Sequence, residues 1–213
     1  MKFKRAYAAS FCAVIVIVGC ALNKSAQPGS DIDQQSSGSD YRTIFDRWTR
    51  EGRIYDSLDV KLISAATYLS AEFRRAFAVE YARRYQMTDL EKAKLFQDQK
   101  NAGTAYEDFI FAAYVPEKAW DDFDKKTSIW KIYITTDGID QIKPIEIRKL
   151  DKRDAKTAYF YSYLTPWKSI YRLRFPKLAV AQHANAAETG SGSLKLMITS
   201  VLGSSEMVWQ LQP

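Results

Sequence analysis

The hydrophobic period of this chain switches after Gly103 from about 3.6 residues to 2, and that switch sets a helical stretch before a largely β region. Before it, Phe73, Phe77, Tyr81 and Tyr85 recur at steps of four, so one face of a helix over Ser70–Tyr85 is aromatic. Ser70 is a good N-cap, and Glu72 in the first turn suits the helix dipole. Thr88-Asp89-Leu90-Glu91 spells a capping box and starts a second helix through about Asn101, with Gly103 as its stop. Upstream, Tyr41, Ile44, Phe45 and Trp48 have helical spacing behind Ser39 or Asp40, and Gly52 is expected to end that element. Arg53–Tyr68 fits either period: Val60, Leu62 and Ile63 suit a strand, while Leu58, Leu62, Ala65 and Leu69 suit a helix. A strand running into a bend is the preferred reading.

After Gly103, Phe109–Val115 is an apolar run closed by Pro116. Ile129–Thr135 alternates, with Trp130, Ile132 and Ile134 on one face and Lys131 and Tyr133 on the other. Asp137-Gly138 is a strong hairpin signal, and Ile142–Leu150 alternates again, with Pro144 marking an edge or a bulge. Ala158–Leu164, Ser169–Phe175, Leu194–Val201 and Glu206–Leu211 are further candidate strands, and 177–193 reads as a long exposed loop. The expected fold class is α+β: an immunoglobulin-like antiparallel β-sandwich with a two-helix insertion near the N-terminus. Residues 41–213 form one globular domain, with helices at about 70–101 and the sandwich at about 105–213.

The first forty residues have another character. Lys2, Lys4 and Arg5 precede the apolar run Phe11–Val18, which is shorter than the ~20 residues a membrane span needs. This pattern reads as a signal peptide over residues 1–19. Ile17-Val18-Gly19-Cys20 resembles the lipobox of bacterial lipoproteins. The resemblance implies cleavage before Cys20 and lipid on its sulfur, with the new amino group acylated as well. Several chains hold a protein on a bilayer stably where one does not. In that family Asp after the cysteine retains the protein at the inner membrane. Here the residue is Ala21, which implies the outer membrane. Residues 20–40 are then the lipidated cysteine and a Ser-, Gln- and Gly-rich tether, which reaches ~25 Å as a flexible coil. The layout also resembles small uncharacterised envelope lipoproteins, in the stretches Ala66–Ser70 and Gly203–Trp209 and in the strand of Trp130.

Charge argues against nucleic acid. The net +6 includes Lys2, Lys4 and Arg5, so loss of the leader leaves +3. Cys12 leaves too and Cys20 is consumed, so no intramolecular disulfide is expected. One histidine, His183 in the expected loop, offers neither a zinc site nor an oriented triad. Asp137-Gly138 is not a calcium loop, since Tyr133, Thr135 and Pro144 occupy the ligand positions. Asp121, Asp122 and Asp124 suit a polar inter-strand loop better than a glycosidase pair. Arg74, Arg75, Arg83 and Arg84 read as a solvated helix face rather than a contact for anionic membranes. Tyr159, Tyr161 and Tyr163 would share one strand face, buried as core or exposed as a ladder. No catalytic residue, metal or cofactor is expected. The expected role is a non-enzymatic assembly or interaction module of the cell envelope, with an envelope protein as partner. The alternative is a module that binds a small or glycan ligand through a surface of Trp120, Trp167 and Tyr171.

Overall fold

The computed structural model describes residues 40–136, 139–151, 154–178 and 192–211. Cys20, the tether, Asp137-Gly138 and His183 lie outside the described residues. No helix among the described residues is long and apolar enough to cross a membrane.

A first helix, α1 (40–48), buries Tyr41 and Phe45, as their spacing predicts. It ends at Trp48, not at Gly52. Strand β1 (Thr49–Asp56) follows at once and turns through Ser57-Leu58 into β2 (Asp59–Tyr68). The ambiguous segment is therefore most of a hairpin. Gly52 lies in mid-strand, where a Cβ would collide with the Ser205 hydroxyl and lie 2.8 Å from Met207 Cε. Its role is close approach between sheets, not helix termination.

Helix α2 (Ala71–Arg84) is capped by Ser70, whose hydroxyl accepts from the Phe73 amide. Helix α3 (Asp89–Ala105) starts with the expected Thr88–Glu91 capping box. It continues through Gly103 and passes directly into β3 (Tyr106–Tyr114). The remaining elements are β4 (Lys131–Thr136), β5 (Ile139–Ile142), β6 (Glu146–Leu150), α4 (Ala155–Phe160), β7 (Ser169–Pro176), β8 (Gly192–Ser200) and β9 (Gly203–Leu211).

The fold is α+β with two antiparallel sheets and no closed barrel. One sheet has the order β1-β2-β3-β7-β6 and the other β5-β4-β8-β9. Their facing sides share one apolar cluster that includes Phe109, Phe111, Tyr171, Trp130, Leu196 and Trp209. The other side of the five-stranded sheet is covered by helices. There Tyr41, Phe45, Phe73, Ile110, Phe160 and Ile170 form a second cluster. With both faces covered, β3 is buried from Glu107 to Ala113, which is why its sequence reads as a run rather than an alternation. The two-helix excursion leaves the sheet from β2 and returns to it as β3, the strand paired with β2. The inter-sheet cluster draws on residues from Ile54 to Trp209 and the helical one on residues from Tyr41 to Ile170, so early and late segments share the same cores.

Two of the expected strands also differ in the structure. Ala158–Leu164 is not a strand. Asp154 caps a short helix, accepting from the Lys156 amide and the Thr157 hydroxyl, and the chain then drops Tyr161 under the helices. The three tyrosines therefore form no ladder. Tyr159 is half exposed and donates to Glu80, while Tyr163 donates to the Ile110 carbonyl. Ile142–Leu150 is not one strand either. Pro144 interrupts it, leaving β5 in the smaller sheet and β6 in the larger.

Candidate functional site

The helix pair sits on the sheet through charge as well as aromatic packing. Asp108 lies on the helical side of β3, 2% exposed. Arg74 of α2 donates to it at 2.8 Å, and Arg174 of β7 donates at 2.8 and 3.1 Å. Burial alone would raise the Asp108 pKa, but the two guanidinium groups outweigh it and hold the carboxyl below its ordinary value. Arg74 also donates to the Leu69 carbonyl and to Gln99 of α3. One buried side chain thus ties together α2, α3 and β3. The neighbouring acid, Glu107, points to the opposite face, where Tyr68 donates to it at 2.6 Å and Lys177 pairs with it at 2.8 Å.

Residues of α2 and α3, with Lys177, line a groove of about 590 Å³. Ala71, Ala93, Phe96 and Gly103 supply its apolar lining, Gln97, Gln99 and Thr104 its neutral polar groups, and Arg74, Arg75, Lys100 and Lys177 its cations. No carboxylate is among the residues that line it. Arg74 and Lys177 are matched by Asp108 and Glu107. Arg75 and Lys100 are exposed and have no acidic partner among the described residues. No residue of α3 is buried, so this helix is held mainly by α2.

The arginine face separates into different jobs. Arg74 is buried, and Arg83 and Arg84 pair with Glu80. Burial opposes ionisation of Glu80, but donors from Arg83, Tyr159 and Arg84 bring its pKa down to about 2. Only Arg75 remains for a ligand.

The aromatic residues picked from sequence do not form one surface. Trp167 is 73% exposed and lines a shallower hollow of about 390 Å³ with Ile63, Tyr114, Thr165 and Lys168. Trp120 is half-buried against the inter-sheet cluster, and its carbonyl accepts from the Trp130 indole. Tyr171 corrects the expectation outright: it is fully buried, and its hydroxyl donates to Asp121. An inward position on β7, between Phe111 and Phe123, explains this. Asp121 also accepts from Ser169, and Asp122 accepts from Ser128, so both acids close the loop before β4. Among the described residues, no group of three His, Cys, Asp or Glu side chains could hold a metal.

The apolar run begins at Phe109, whereas β3 begins at Tyr106 and includes Glu107 and Asp108. Two acids heading an uninterrupted apolar run were the available signal, since such acids are buried only with partners.

No protein-family model matches the chain, and no curated protein matches it. One solved structure is similar, described as a novel protein of unknown function from Burkholderia pseudomallei K96243. The likeness has a TM-score of 0.44 at 11% identity, covering 84% of this chain and 86% of that one.

Proposed function

We propose that this is a lipid-anchored protein of the cell envelope whose globular domain is a non-enzymatic binding module, with its ligand in the α2–α3 groove. The supporting observation is the groove itself. Its volume lies in the ~300–1,000 Å³ range of small-molecule sites, and it combines the apolar surface of Ala71, Ala93, Phe96 and Gly103 with cations and the polar side chains of Gln97, Gln99 and Thr104. The lipobox at Cys20 supports the anchor, and Ala21 after it supports the outer membrane. In this reading the domain is kin to immunoglobulin-type sandwiches in architecture, with the helix pair as its binding attachment. The interaction-module reading draws on a different feature. Leu58 and Val201, 94% and 93% exposed, stand at hairpin turns, and Gly203 beside Val201 is packed against Ile54. Each is a single exposed apolar side chain, so this feature supports a protein partner less than the groove supports a ligand.

Two measurements check this function. Cys20→Ala should move the protein from the membrane to the soluble fraction or leave it unprocessed, and a variant still membrane-bound at mature size would refute the anchor. Amide-shift mapping of residues 40–213 against small organic molecules of mixed charge should perturb Ala71, Arg75, Phe96 and Gly103 together. Shifts clustered around Trp167 would instead transfer the ligand to the exposed-aromatic hollow, as expected for a glycan.

A further inference from the structure

We infer that the α2–α3 groove takes a single-chain anionic amphiphile, its carboxylate between Arg75 and Lys100 and its acyl chain along Phe96 and Ala93. This rests on the reading of the groove as the ligand site and names the class of ligand.

Charge selects the head group. Arg74 is spent on Asp108 and Lys177 on Glu107, both at 2.8 Å, so neither is free for an anion. Arg75 and Lys100 have no such partner among the described residues, and no carboxylate lines the groove to offset them. A cationic ligand would be repelled, and a neutral one would gain nothing from either charge. An anion pairs with both, each contact having the modest strength of an exposed ion pair.

The lining selects the body. Phe96, Ala93, Ala71 and Gly103 offer apolar surface for a chain, beside the polar side chains of Gln97, Gln99 and Thr104. Gly103 shapes one side: a Cβ there would lie 3.1 Å from Arg74 Cδ, so its absence lets α3 settle against the aliphatic stem of Arg74. α3 contributes no residue to either core, so a chain lying along it covers exposed surface and displaces no core side chain. The lipid expected on Cys20 is a poorer candidate, because its acyl groups are esters and an amide and bring no charge.

The test compares laurate, dodecanol and dodecyltrimethylammonium, each below its aggregation concentration. The protein is the full chain in phosphatidylcholine nanodiscs, with partition into lipid measured on empty discs, and the titrations are repeated on residues 40–213. Laurate should bind about tenfold more tightly than dodecanol, the size of two partly exposed charge contacts, and the ammonium should bind least. Arg75→Gln combined with Lys100→Gln should bring laurate to the level of dodecanol. Both side chains are exposed and without an acidic partner among the described residues, so the variant keeps its fold, which circular dichroism verifies. Added salt should weaken laurate alone. Equal affinity for laurate and dodecanol would overturn the anionic class while leaving the groove a binding site for a neutral chain. No groove shifts with any of the three probes would overturn the groove reading itself.

Discussion

Replacing Asp108 by alanine should destabilise the domain by about 3–5 kcal/mol, the usual cost of removing one partner from a buried ion pair. Asp108 answers two guanidinium groups at once, and Arg74 is itself only 6% exposed. Without the carboxylate, Arg74 keeps its bond to the Leu69 carbonyl but holds a buried charge with no counter-ion. Asp108→Asn should be nearly as costly, because shape is kept and charge is lost. Urea unfolding of residues 40–213 is the measurement, and a loss below about 1 kcal/mol for both variants would contradict the buried-pair account. The pH dependence has a definite sign. A carboxyl whose folded pKa lies below its unfolded value, about 3.9 for Asp, contributes its full stability above that value and loses it as pH falls toward the folded one. The gap between wild type and Asp108→Ala should therefore be widest near neutrality and narrow below about pH 4.

Trp130→Ala should cost a similar amount, about 3–5 kcal/mol, the range for truncating a buried large aromatic. Trp130 is 4% exposed, just before β4, and stacks on Phe123 with ring centroids 5.3 Å apart. Its indole N–H donates to the Trp120 carbonyl at 2.8 Å, so truncation also leaves that carbonyl without this donor. Phe123 in turn packs edge-on against Phe111 and Tyr171 of the larger sheet. The cavity would therefore open between the two sheets. A total stability of 5–15 kcal/mol, usual for a domain, leaves little margin for such a loss. Thermal unfolding of residues 40–213 measures it. A change under about 1 kcal/mol would mean that Trp130 does not fill the inter-sheet core.

These two residues differ in how far sequence reveals them. Trp130 is legible because Ile132 and Ile134 repeat on its side of an alternating strand and Lys131 does not. Asp108 is not, because its partners stand 34 and 66 residues away in α2 and β7. The groove was hidden for the same reason. Arg75 and Lys100 look like ordinary solvated cations until it is known that Arg74 has gone inward to Asp108 and left them uncompensated. Trp167 and Tyr171 show the converse: both are large aromatics near one strand start, and only packing makes one 73% exposed and the other fully buried.

What the sequence determined by itself are the features decided within a turn or two of chain. Ser70 and the Thr88–Glu91 pair mark their helix starts because cap and backbone donor are three residues apart. The inward face of β4 follows from an alternation visible in six residues. Tertiary structure alone decided which sheet each strand joins, splitting β5 from β6 at Pro144, and made a helix of 155–160 where alternating tyrosines suggested a strand. It also placed Gly52 in a strand, where the opposite sheet leaves no room for a Cβ. The physical reason is range. Caps and periods act between neighbours, whereas sheet membership, buried charge and close approach depend on what lies across the core.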